Sequence, residues 1–135
     1  MVDYDLRITD ARLRTATRSR FASAHYADAI EAGVKALNEC VRERSGSTLD
    51  GDSLMTSVFS VSKPKLRINR LRSESERSEQ RGHMMMCQGV VAAWRNPRAH
   101  SSRFDDSPEA ALAMLEHLQQ LINITMSATR TRKRR

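Results

Sequence analysis

Aromatic residues make up only 4% of the chain, and glycines, prolines and cysteines number five, three and two. A β-sandwich of 135 residues would ask for aromatic and β-branched side chains and for many sharp turns. The scarcity of both argues instead for a few long helices packed through Ala, Val, Leu, Ile and Met. No run approaches the ~18 consecutive apolar residues that a membrane span needs. The opening MVDYDLRITDARLR lacks the apolar core of a secretory signal, so a cytoplasmic chain without a membrane partner is expected. Cys40 and Cys87 each fall within apolar helical periodicity, where a reduced buried thiol is expected rather than a disulfide. The histidines at 25, 83, 100 and 117 make no zinc spacing with them, so neither metal nor cofactor is expected.

What is abundant is positive charge. The formal net charge is +7, and TRTRKRR at the C-terminus supplies Arg130, Arg132, Lys133, Arg134 and Arg135, leaving a nearly balanced body. A single domain over residues 1–128 is therefore expected, with 129–135 as a disordered basic tail. Such a tail either binds nucleic acid by counterion release, without reading sequence, or simply solubilises the chain. A second basic cluster, KPKLRINRLR from Lys63 to Arg72, lies in a connecting segment.

Helical periodicity organises the rest. A short N-terminal helix is expected from Ile8 to about Arg20, using Ala11, Leu13 and Ala16. Tyr26, Ile30, Val34, Leu37 and Val41 then step by four or three along a helix from Ala24 to Arg44, which Gly46 stops. After the turn at Asp50-Gly51, a small helix carries Leu54, Met55, Val58 and Phe59, and Pro64 closes it. Ser73 or Ser75, with Glu76 or Glu79, caps a helix that is almost wholly apolar from Met84 to Trp94. A helix apolar on most faces belongs in a bundle centre or against a second copy. Ser107-Pro108-Glu109 opens the last helix, which presents Leu112, Leu115, Leu118, Ile122 and Thr125 on one face. The whole predicts an all-α bundle with a four-helix core and a short N-terminal helix. Glu31 and Lys35 are expected to form a surface pair, and His83 beside the methionines to pack.

The chemistry-bearing stretch is WRNPRAH, Trp94 to His100. In an unbroken helix, side chains five apart point about 140° apart and lie about 7.5 Å apart along the axis. Pro97 is expected to end the helix near Arg95, so that the chain turns back and brings His100 beside Arg95 and Asn96. Guanidinium, imidazole and amide together suit a phosphodiester. Arginine grips two phosphate oxygens, and histidine moves protons at working pH. The plain alternative is a helix stop in which Arg95 complements the helix end and His100 caps a carbonyl.

RNPRAH resembles the R-x(4 to 6)-H signature of the HEPN superfamily of helical-bundle ribonucleases. FASAHYADAIEAGVKALNECVRERSG, DGDSLMTSVFS, PKLRINRLRSESERSEQRG and GVVAAWRNPRAH, in that order, resemble the bacterial and phage family known as Ymh. These blocks cover about Phe21 to His100. Family members often carry an aliphatic residue at Trp94, a departure that concerns packing or the dimer surface. The resemblance implies a HEPN-like bundle that dimerises and joins two RNPRAH corners into one composite cleft. It implies a metal-independent endoribonuclease of toxin–antitoxin, abortive-infection or other antiviral defence, with RNA as substrate and an antitoxin or defence-system component as partner. By matching position, Arg95 would stabilise the transition state, His100 act as base or acid, and Asn96 orient substrate or histidine.

Arg98, Arg103 and His25 are further candidates for substrate binding, with a structural histidine as the alternative at His25. If a dimer forms, a charge at Val91 or Trp94 is expected to split it. The competing functions are a non-catalytic dimerisation or nucleic-acid-binding module, and a DNA-associated protein of a mobile element or phage.

Overall fold

The strongest stripe in the sequence is the centre of the fold. The computed structural model describes residues 1–132, and in it Ile30, Val34, Leu37 and Val41 are fully buried on the helix Tyr26–Ser45. In chain order the elements are α1 (Val2–Arg7), α2 (Ala11–Ala22), α3 (Tyr26–Ser45), α4 (Gly51–Val58), β1 (Leu66–Arg67) and α5 (Glu74–Val90). A π-helical turn (Val91–Arg95), α6 (Asn96–His100), α7 (Pro108–Ser127) and β2 (Thr129–Arg130) follow. The chain is an all-α bundle, and no described helix is long and apolar enough to cross a membrane.

α3 packs most extensively against α7 and α2. A Cβ on Gly33 would stand 2.9 Å from Leu118 Cδ1 and 3.0 Å from Leu115 Cδ2, so glycine there lets α3 and α7 approach. α3 stops at Gly46, whose φ of 74° is left-handed. Ser73 Oγ accepts from the Glu76 N–H, Asp10 and Ser107 cap α2 and α7 likewise, and Pro108 occupies the first turn of α7. Glu31 and Lys35 form the expected surface pair.

The N-terminus differs from expectation. The expected short helix is α2, with Leu13, Thr17 and Phe21 buried, and a further helix, α1, precedes it. The residues between them on α2 are mostly arginine, serine and threonine, so its apolar stripe is thin. Tyr4 of α1 is fully buried, stacks 5.0 Å from Phe21 and shares a 2.7 Å hydrogen bond with Thr17.

The expected disordered tail is also displaced. Thr129 and Arg130 pair antiparallel with Arg67 and Leu66, and the Thr131 N–H donates to the Lys65 carbonyl at 2.9 Å. Lys133, Arg134 and Arg135 lie outside the described residues.

Cys40, Cys87 and His83 are core residues. Both thiols are free and are raised by burial, Cys87 to about 12, so neither is a nucleophile at neutral pH. His83 stands edge-on to Phe59 at 4.7 Å, and its Nε2 lies 3.3 Å from Thr125 Oγ1. Among the described residues its Nδ1 has no partner. Burial lowers the imidazole from 6.5 to about 4, against a small opposing pull from Glu79. The folded chain then binds fewer protons than the unfolded chain between those values. Stability should be complete above the unfolded value and fall as pH drops through the window, by about 1.4 kcal/mol per unit and ~3 kcal/mol in all. Urea titrations from pH 7.5 to 4 should show this slope reduced in His83→Gln; equal slopes in both proteins would refute it.

Candidate active site

Two arginines follow Trp94, and the structure gives them opposite roles. Arg98 is locked. It holds both oxygens of Asp106 at 2.7 and 3.1 Å, with side chains only 7% and 12% exposed, and lies 4.5 Å from the Phe104 ring centroid. A two-pronged, nearly dry pair is costly to open. Arg98, a candidate for substrate binding by its position in the sequence, therefore ties α6 to the start of α7.

Arg95 is available. Its contact with Asp50 is a single 3.4 Å approach, and the carboxylate is 60% exposed. Such a pair contributes at most about 1 kcal/mol, so an incoming anion can replace Asp50 at small cost. Burial would raise the Asp50 carboxyl, but the Arg95 charge, with hydrogen bonds from Arg95, Asn38 and the Gly51 N–H, outweighs it and holds the group below its ordinary value. Arg95 and Asn96 line a cleft of about 260 Å³ with Asp50, Gly51, Asp52 and Gln88.

The cleft is assembled from both sides. Buried Asn38 of α3 accepts the Gly51 N–H at 3.0 Å through Oδ1, and Asp50 caps α4. Gln88 of α5 donates to Asp52 at 2.8 Å, fixing α5 beside the start of α4. Asn38, Asp50 and Gln88 were not singled out in the sequence. The Asp50-Gly51 turn was visible, but nothing in it told that it would face Arg95.

The expected corner at Pro97 is absent. Asn96 keeps helical angles, φ −61° and ψ −46°, and its N–H reaches back five residues to the Val91 carbonyl. The widened turn allows Pro97 to fall in the first turn of α6, where a missing N–H costs nothing. The helix therefore runs on to His100 instead of folding back. His100 ends α6 exposed and does not line the Arg95 cleft. The juxtaposition of Arg95, Asn96 and His100 within one chain is thus only half realised.

His25 is exposed at the start of α3, making no side-chain cap, and lines a separate depression with Arg98, Phe104 and Asp106. Arg103 is exposed with its guanidinium 5.6 Å from the Phe104 ring centroid. Neither residue reaches the Arg95 cleft. Trp94 packs edge-on to His117 at 5.6 Å and is half-buried. Among the described residues no cluster of three or more His, Cys, Asp or Glu has metal-holding geometry.

One face of α5 and the π turn is uncovered. Met85 and Met86 are 60% and 44% exposed, Gly89, Ala92 and Ala93 are exposed, and a Cβ on Gly82 or Gly89 would meet nothing within 4 Å. The helix is therefore buried on one side only, and this small-residue face runs into Arg95 and Asn96.

A family model described as "Protein of unknown function (Hypoth_ymh)" matches residues 7–124. No curated protein and no solved structure matches the chain.

Proposed function

The chain belongs to the Ymh family, and from that premise we propose that it is a HEPN-type, metal-independent endoribonuclease of toxin or antiviral-defence type. The observation that carries the reading is the weakly held Arg95: a cationic fork, 23% exposed and beside Asn96, that can exchange one long contact to Asp50 for a phosphate.

In this reading two copies meet through the uncovered face of α5, and each brings its His100 to the shared cleft. The 2′-hydroxyl of a nucleotide gives its proton to one imidazole and bonds to the adjacent phosphorus. The bond to the 5′-oxygen breaks, and a second, protonated imidazole supplies the proton that this oxygen takes up. Arg95 binds the two non-bridging oxygens as their charge grows. The products are a 2′,3′-cyclic phosphate and a 5′-hydroxyl, and the balance needs no further reactant. An antitoxin or other defence component is the partner that such an activity calls for.

The test is cleavage of end-labelled RNA by purified protein in EDTA, beside His100→Ala and Arg95→Ala. Cleavage by the wild type alone, with cyclic phosphate ends, is the expected result. Products ending in a 3′-hydroxyl, or unchanged activity in His100→Ala, would overturn the chemistry. A second reading, a non-catalytic binding module, is favoured by one fact: Asp50 already occupies Arg95. RNA binding without cleavage would select it.

A further inference from the structure

The two basic clusters, separate in sequence, are joined in space by the β1–β2 pair. On one flank Lys63, Lys65, Arg130 and Arg132 line a concavity of about 780 Å³ with Ser45, Gly46 and Ser57. Arg67, Arg70 and Arg72 line a second one, of about 510 Å³, with Asn69 and Thr129 on the other flank. Among the described residues none of these seven cations has a carboxylate partner, whereas Arg7, Arg12, Arg14, Arg18, Arg95 and Arg98 all do. The Nε of Arg67 is buried without a hydrogen-bond partner among those residues. Seven like charges repel unless something anionic lies among them.

We propose that this ribbon is a track for the phosphodiester backbone of RNA, leading to the Arg95 cleft. A single phosphate would satisfy one flank, whereas a polymer can engage both. Interspersed hydroxyl and amide groups are those that share phosphate oxygens with Arg and Lys. None of the exposed large apolar side chains lines either concavity, so the surface lacks the apolar face that a lipid interface needs. α4 connects track and cleft: Ser57 near its end lines the larger concavity and Asp52 near its start lines the cleft. These positions are five apart in the chain, about 7.5 Å along the helix axis. The choice of RNA over other polyanions rests on the proposed ribonuclease reading; the track itself does not.

The experiment measures anisotropy of a labelled single-stranded RNA of mixed sequence in EDTA. The full chain carries His100→Ala, so that the RNA stays intact. Lys63→Ala with Lys65→Ala, and Arg70→Ala with Arg72→Ala, alter exposed side chains only, and circular dichroism checks that the fold persists. Each lost phosphate contact lowers the slope of log affinity against log salt by about 0.7, so each pair should lower it by roughly 1.4 and weaken binding about tenfold at low salt. Unchanged slope and affinity in both pairs would overturn the track, as would tighter binding to duplex DNA or to phosphatidylglycerol vesicles than to RNA. Cleavage by the wild-type chain without ribbon-dependent binding would overturn the track and leave the ribonuclease. Ribbon-dependent binding without cleavage would do the reverse.

Discussion

In the proposed dimeric ribonuclease, Ala93→Glu is expected to leave only monomers and to abolish RNA cleavage together, with the thermal midpoint of the monomer nearly unchanged. Ala93 is exposed on the same side as Met85 and Gly89, so glutamate there meets only water in a single chain. Surface changes of this kind usually move stability by about 0.5 kcal/mol or less. In the proposed dimer the same residue would lie in the shared interface, where an unpaired charge costs about 3–5 kcal/mol. That is a loss of roughly two to four decades in dimer affinity. Sedimentation velocity and the EDTA cleavage assay read the two effects. A monomer with full activity would refute the shared cleft. A dimer that persists would show that the uncovered face is not the interface. Val91, a natural choice from the sequence, is the wrong probe: its side chain is 4% exposed and packs in the core, so a charge there would unfold the chain.

The helices that face the core were legible because their periodicity and caps agree. α3, α4 and α7 keep their apolar residues at spacing three and four, and Gly46 and Ser107 mark ends that the backbone must satisfy. α1 was not, because six residues give too little pattern and its burial rests on Tyr4 finding Phe21 and Thr17. The ribbon was hidden for a different reason: pairing of residues 66–67 with 129–130 joins positions more than sixty apart, and two-residue strands carry no alternation.

At the site, the sequence marked Arg95 and Asn96 by their chemistry, but not which arginine would be free. That depends on partners: Asp106 grips Arg98 with two nearly buried oxygens, while Asp50 offers Arg95 one long contact. Pro97 misled because the rule that proline ends a helix assumes an α-type hydrogen-bond ladder. A π turn moves the bonding frame by one residue, and the ladder no longer needs the N–H that proline lacks.

Gln80→Leu should cost roughly 3–5 kcal/mol, although it preserves approximate size and adds an apolar side chain to the core. Gln80 is fully buried on α5, and its amide makes three bonds to the segment that carries the ribbon. Nε2 donates to the Phe59 and Leu66 carbonyls at 3.2 and 2.9 Å, and Oε1 accepts the Ile68 N–H at 2.9 Å. Leucine leaves these backbone groups without that partner, each at a desolvation cost of about 1–3 kcal/mol. Gln80→Glu can accept from Ile68 but cannot donate while ionised, so it should be no better than leucine at neutral pH. Urea unfolding of the three proteins measures the effect; a loss below about 1 kcal/mol for leucine would mean that water replaces the amide. Because Leu66 is both a Gln80 partner and a β1 residue, a milder loss should still appear in RNA affinity of the proposed track before global unfolding. Gln80 and the proposed track are connected through one two-residue strand.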